Sequence, residues 1–376
     1  MVFAGELLSR HRKIDDDVSP QLDTLRGMSA IAVLCGHANQ IFIAPVESAL
    51  YPVMGLMAQA AVMLFFVLSG FLITKSITRN FSSGAGFDIR AYAADRFDRI
   101  YPPLLFALLI VAGLHAGAPL VFPTGSEMFE LQGGFVVRDG FEVGLANFVG
   151  ALFFLNGFTI DNIAANGPLW SLSYEVWYYV AAGLIAWRTK YGVFIAGALL
   201  VALGSTNKMF LAFAPIWFAG GIVALMHNWR QQFPRAASVV GGVLFLGVAW
   251  CAGGYIWAFQ QVTVPAEINA LYIVIFNLLF GLAAACALHL LLIGAWSVSS
   301  RPRHAANFSY TLYVTHFPIM LFIYGAAQVQ IHSSVSISIA AALIAIASCL
   351  GVAIISAPLI ETRRPLNSLG RRLRVG

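Results

Sequence analysis

Charge is what this chain has least of. Asp, Glu, Lys and Arg together make up 10% of its 376 residues, where a soluble domain carries about 25%. That deficit goes with 59% hydrophobic residues and a mean hydropathy of +0.80. Together they exclude an ordinary soluble domain and indicate a polytopic membrane protein. Short segments of alternating polarity, the mark of a β-barrel, are missing. The apolar runs are long and continuous, so the spans are helices and the expected fold class is an all-α, polytopic transmembrane helical bundle. Cysteine is sparse as well. Cys35, Cys251, Cys286 and Cys349 each lie inside an apolar run, with no CxxC or Cys/His cluster. They read as small buried helix residues rather than as a metal site or a disulfide framework. No apolar stretch precedes the first span, which argues against a cleaved signal peptide. The net charge of +5 implies no nucleic acid. The basic residues sit between spans and at the two ends, where the positive-inside rule puts them.

Eleven apolar segments are present, near 24–44, 56–75, 101–119, 144–158, 170–187, 191–204, 211–227, 238–258, 270–293, 308–328 and 336–358. Both ends are basic, the C-terminal one through Arg363, Arg364, Arg371, Arg372 and Arg374, so both termini should be cytoplasmic and the number of crossings even. Loops holding Arg79, Arg90, Arg96 and Arg99, then Arg188/Lys190, Arg230/Arg235 and Arg301/Arg303, are assigned inside. Residues 120–143 and 159–169 then fall outside, so 144–158 cannot cross. It is also shorter than the roughly 20 residues a perpendicular span needs. Ten crossings plus one re-entrant or interfacial segment are expected. Segment 191–204 is shorter still and is read as a tilted or partly buried span. With no linker or internal repeat, the chain divides into a cytoplasmic segment (1–21), one transmembrane domain (22–366) and a basic cytoplasmic tail (367–376).

Several polar residues stand where lipid should exclude them. Ionisable groups at the bilayer centre cost about 2.5–3.5 kcal/mol each on insertion scales, so they face the bundle interior. In LDTLRGMSAIAVLCGH, Arg26 and His37 are eleven residues apart. Three helical turns plus about 20° put them on one face, roughly 16 Å apart along the axis. Either they line a polar path, or Arg26 snorkels to headgroups and His37 bonds a neighbouring helix. Asp23 precedes them by one turn. In FFVLSGFLI, Ser69-Gly70 interrupts an apolar span and permits close approach of another helix or of a ligand. In DRFDRIYPP, Arg96 and Arg99 share a face and either clamp a phosphate or anchor the span. Pro102 and Pro103 suit the start of a helix. In NGPLWSLSYEVWYYV, Asn166-Gly167-Pro168 signals a helix start. Glu175 comes next, two residues after Ser173, needing a cation or hydrogen-bond partner, and the nearby Trp170, Trp177, Tyr178 and Tyr179 also suit an interfacial aromatic belt. His316, in SYTLYVTHFP, reads as structural or ligand-gating, and His289 as packing.

The ordered set LDTLRGMSAIAVLCGH, FFVLSGFLI, RFDRIYPP, WSLSYE, SYTLYVTHFP and LIETRRPL resembles the membrane acyltransferase 3 family, from about Leu22 to Leu366. Asp98 and Tyr174 depart from the family's pattern. The resemblance implies an integral membrane O-acyltransferase of surface carbohydrates, most often an O-acetyltransferase. It implies acyl-CoA, normally acetyl-CoA, as donor, no metal, and a carbohydrate or lipid-linked saccharide as acceptor, in the cytoplasmic (inner) membrane. It carries functional roles onto His37 and Glu175 as catalytic residues. Arg26, Arg96 and Arg99 become holders of the CoA phosphates. Asp23, Ser69, Gly70, Trp170, Ser173 and His316 become substrate or structural support. On this implication a neutral His37 serves either as general base or as an acyl-accepting nucleophile, with Glu175 orienting or charge-stabilising the imidazole. The competing class is a proton-coupled transporter or flippase of an anionic substrate, in which His37 and Glu175 relay protons. A third is a receptor-like or scaffolding protein without chemistry. Membrane lipid is a partner in every case.

Overall fold

The computed structural model describes residues 8–82, 86–130, 138–187, 190–261 and 265–361. The basic tail, Arg363, Arg364 and Arg188 lie outside the described residues. Among the described residues the α-helices, in order, are α1 (Ser19–Ala38), α2 (Tyr51–Ser82), α3 (Ile89–Val121), α4 (Leu145–Leu152), α5 (Leu169–Ala186), α6 (Lys190–Thr206), α7 (Lys208–Asn228), α8 (Pro234–Gln260), α9 (Ala266–Leu292), α10 (Ser309–Ile331) and α11 (Val335–Ile360). Among the described residues there are no strands, only two isolated bridges, so the fold is all-α.

Ten of these helices are 17 residues or longer, as many as the crossings expected. Seven are long and apolar enough to cross a membrane by themselves: α2, α3, α7, α8, α9, α10 and α11. The protein is therefore a multi-pass membrane protein. The other three differ for identifiable reasons. α6 is simply short, at 17 residues. α1 carries Asp23, Arg26 and His37, and α5 carries Ser171, Ser173 and Glu175. These two helices carry His37 and Glu175. α4 has eight residues, about 12 Å of helix, against a hydrocarbon core of about 30 Å. It cannot cross, as the parity of the basic loops required.

Helix boundaries follow local chemistry. Asn207 caps α7 by accepting from Met209 N at 3.0 Å, and Ser334 caps α11 by accepting from Ile337 N at 3.3 Å. Each satisfies an otherwise orphaned donor. The Asn166-Gly167-Pro168 signal marks the entry to α5 correctly, through a 3-10 turn at Ala164–Asn166. The reading of Pro102 and Pro103 is corrected. α3 begins at Ile89, and both prolines lie inside it. The preceding turns, with Asp88 Oδ1 accepting from Arg90 N and Ala91 N at 3.0 Å, start the helix earlier. It then runs through the prolines, which offer no N–H to the carbonyls four residues back.

Contacts group the described residues into two units. The first draws on Met1–Arg26, Gln59–Arg96 and Tyr174–His304, the second on Gly27–Ala58, Phe97–Ser173 and Ala305–Gly376. In the first, α8 packs on α9, α9 on α7, and α7 on α6. There α2 and α7 approach backbone to backbone. A Cβ on Gly70 would overlap the carbonyl of Trp217, and one on Gly220 the carbonyl of Val67. Ser69-Gly70 therefore serves helix packing at its glycine. In the second unit α10 packs on α11, and both touch the π-helical turn Asn39–Ile43 that succeeds α1. The Ser338 hydroxyl donates to the Phe42 carbonyl and fixes that turn.

Candidate active site

In the first unit the chemistry gathers on α2, α5 and α7. The Ser69 hydroxyl donates to Glu175 Oε1 at 2.6 Å, and the Tyr179 hydroxyl, one helical turn beyond Glu175, donates to the same oxygen. The buried Trp217 donates its Nε1–H to Ser69 Oγ at 3.1 Å. Tyr179 in turn accepts through its carbonyl from the Tyr92 hydroxyl at 3.0 Å. Among the described residues Glu175 makes no ion pair, so its carboxylate is held by hydroxyls rather than neutralised by a cation.

The arginines differ among themselves. Arg26 Nη1 lies 3.6 Å from Asp23 Oδ1, one turn away on α1. Arg96 is half-buried. Its Nη2 donates to Ser76 Oγ at 3.4 Å, its guanidinium stands 5.8 Å over the Tyr92 ring, and its buried Nε–H has no partner among the described residues. Arg99, three residues on, is exposed. Arg96 thus keeps a donor in hand, while Arg99 faces outward.

A buried ammonium appears that sequence reasoning missed. Lys75, 5% exposed, is held by Asn228 Oδ1 at 2.5 Å, by His227 Nδ1 at 3.1 Å and by the Arg12 carbonyl. His11 approaches Thr78 Oγ1 at 3.3 Å beside this group. Burial, then the charges of Lys75 and Arg79, lower the His11 pKa. This node ties the N-terminal segment to α2 and α7, and Arg10 stacks on Trp229 at 3.8 Å. His289, read as packing, accepts from Phe233 N at 3.2 Å and is structural.

In the second unit His37 and His316 lie side by side. His37 Nδ1 bonds Gln40 Oε1 at 2.9 Å, and the same Gln40 side chain bonds Tyr51. An amide oxygen can only accept, so His37 carries its hydrogen on Nδ1 and its lone pair on Nε2. His316 on α10 stands with its ring 5.2 Å from that of His37, and the Phe317 ring meets His37 edge-on at 5.1 Å. Arg138, from the loop before α4, places its guanidinium 5.6 Å over Phe317, close enough for its charge to act on His37. Its Nε donates to the Ala164 carbonyl at 3.1 Å, and its Nη2 lies so close to Gly167 that a Cβ there would strike it. Burial lowers the Arg138 pKa, and neighbouring Asp139 opposes the shift. Ser171 Oγ and the Tyr313 hydroxyl lie 2.5 Å apart, and Asn166 Nδ2 donates to the Val314 carbonyl at 3.0 Å. Trp170 is half-buried at the start of α5, and buried Ser173 leans on the Leu169 carbonyl at 3.5 Å.

The structure therefore brings together Ser69 with Glu175, Asp23 with Arg26, and His37 with His316. Gln40, Arg138, Ser171, Tyr179, Trp217 and Tyr313 join these groups without having been singled out for them. The signal for Gln40 was available, since it comes three residues after His37. Arg138 carried none, being one arginine in a polar loop.

Comparison with known proteins agrees with the motif order. A family model for an acyltransferase domain, acyltransferase 3, matches residues 19–358. Nodulation protein 10 of Rhizobium leguminosarum bv. viciae is 25% identical over 334 residues, which cover 79% of this chain and 82% of that protein. No solved structure matches. A match over nearly the whole chain, on a multi-pass all-α fold, identifies the protein as an acyltransferase: it belongs to the acyltransferase 3 family.

Proposed function

We propose that this membrane acyltransferase takes an acetyl group from cytoplasmic acetyl-CoA and esterifies a hydroxyl of an extracytoplasmic or lipid-linked carbohydrate. On this reading it lies in the cytoplasmic (inner) membrane with both termini cytoplasmic. Arg26, Arg96 and Arg99 bind the phosphates of the donor. His37 is the reacting imidazole, and Glu175, held by Ser69 and Tyr179, is the catalytic carboxyl group.

The observation that carries this reading is the tautomer of His37. With Nδ1 committed to Gln40, Nε2 presents a lone pair. That nitrogen either accepts the acceptor's proton or attacks the thioester carbon. Support for the donor site comes from Arg96, whose buried Nε–H has no partner among the described residues. A guanidinium edge suits a phosphate oxygen, and an ammonium does not reproduce its geometry.

The test is His37→Gln. Glutamine keeps hydrogen-bonding capacity and cannot take a proton at neutral pH. Labelled acetyl transfer from acetyl-CoA should fall at least about 100-fold, the lower end of what a positioned base contributes, while the protein still inserts and binds CoA. Transfer near the parental rate would return His37 to a hydrogen-bonding role and remove the reading.

A further inference from the structure

Transfer by a single general base uses one imidazole, and beside His37 the second unit places another, His316. On the acyl-transfer reading above, the second imidazole has a geometry suited to a role of its own. His316 is 1% exposed. Its Nδ1 faces the carbonyls of Tyr313 at 2.8 Å and Leu312 at 3.1 Å. Carbonyls only accept, so Nδ1 carries the hydrogen and Nε2 the lone pair. That Nε2 is buried with no partner among the described residues, a costly state for an acceptor unless a ligand hydroxyl completes it. The turn that presents it is fixed on several sides. The His316 carbonyl accepts from Cys349 Sγ at 3.4 Å, the Val314 carbonyl from Asn166, and Tyr313 is tied to Ser171. The His37 ring is 5.2 Å away, tilted by 32°. Two basic nitrogens, each with its other nitrogen pinned as a donor, thus belong to adjacent rings.

We propose that His316 is a second catalytic imidazole, the base that deprotonates the acceptor hydroxyl after His37 has taken the acyl group. In the first half, the His37 Nε2 lone pair forms a bond to the thioester carbon. The C–S bond breaks, and CoA leaves as thiolate. His37, still carrying its Nδ1 hydrogen, is now a cationic acyl-imidazolium. In the second half, the acceptor oxygen attacks the acyl carbon and its proton passes to His316 Nε2. The N–C bond breaks and returns His37 to its neutral form. The pair holds one positive charge throughout this half, moving from His37 to His316, which then gives its proton to solvent. The sum is thioester plus alcohol giving ester, thiolate and a proton.

The experiment uses the purified full-length protein in detergent, acetyl-labelled acetyl-CoA, and water as the acceptor. The parent should hydrolyse acetyl-CoA over many turnovers. His316→Gln should release about one equivalent of CoA per protein and then stall. The label should stay on the protein in a hydroxylamine-labile bond, and steady-state turnover should fall at least about 100-fold. His37→Gln should do neither. For His316→Ala, added imidazole should restore turnover, which a purely structural histidine would not show. Parental turnover by His316→Gln would overturn the proposal. So would a stall without bound label, or failure of imidazole to rescue His316→Ala. If the parent itself releases no CoA from acetyl-CoA, it is the donor assignment of the preceding reading that fails.

Discussion

Replacing Gly70 by alanine adds one methyl group and should cost more than most larger changes on this protein's surface. The added Cβ would fall on the Trp217 carbonyl oxygen. That atom belongs to the α7 backbone and cannot rotate away as a side-chain tip could. The contact is reciprocal, since Gly220 of α7 sits against the Val67 carbonyl of α2, so relief at one point compresses the other. Overpacking in a dense interior costs about 1–3 kcal/mol, and a backbone-to-backbone clash belongs at the upper end. About 2–3 kcal/mol is roughly a 30–150-fold loss in the folding equilibrium. Gly113→Ala supplies the internal control. It also lies within a long helix, and a Cβ there meets nothing within 4 Å. Alanine gains about 0.5–1 kcal/mol over glycine in a helix interior. The same chemical change should therefore act with opposite signs at the two positions, with a spread of about 3 kcal/mol. Reversible unfolding in mixed micelles, titrated with a denaturing detergent, measures both. Shifts of equal sign and size would refute the claim that α2 and α7 meet backbone to backbone.

The remaining predictions concern the site and the topology. Ser69→Ala removes a donor to Glu175 and strands the buried Trp217 N–H. Membrane hydrogen bonds average about 0.6 kcal/mol and reach about 1.7, so a destabilisation of about 1–2 kcal/mol is expected, with Ser69→Thr near neutral; the same unfolding assay decides. Arg96→Ala should weaken CoA binding, read by calorimetry, with Arg96→Lys restoring part of it. Parental affinity in both would remove Arg96 from the donor site. Single cysteines at Thr124 and Glu130 in a cysteine-free background should react with an impermeant reagent from outside intact cells. Labelling only after the cytoplasm is exposed would invert the proposed orientation.

Much of the fold is written in local pattern. The scarcity of charge gives the class, and nearly every apolar run corresponds to a helix because lipid leaves the backbone no other way to satisfy itself. Parity of basic loops separates α4 from the spanning helices before any coordinates are known. Pro102 and Pro103 show where pattern misleads. Proline is most at home in a first turn, yet the turn chemistry at Asp88 begins α3 thirteen residues earlier than the prolines suggest. The site is legible one residue at a time but not in its groupings. Asp23 and Arg26 share a helix, so their pairing follows from spacing. His316 meets His37 only because α10 and the part of α1 from Gly27 onward belong to one unit, and no periodicity reports such a meeting. Glu175 announces its need for a partner. Tyr179, one turn on, follows from spacing, but that Ser69 of another helix is the second partner is a tertiary fact.

The π-helical turn at Asn39–Ile43 sets a limit on how spacing can be used in this chain. A π-turn accommodates one extra residue in a helix. Angular bookkeeping from Arg26 is therefore valid through His37, where the α-helix is intact, and fails immediately afterwards. Between homologous chains, a gain or loss of one residue at this point would leave the Arg26–His37 interval untouched and rotate the subsequent residues by about 100°. Alignments that slide a gap past Ala38 would pair residues that face different directions. The side chains after it, including Phe42, whose carbonyl receives Ser338, are better matched by their contacts with α11 than by counting from the start of the helix.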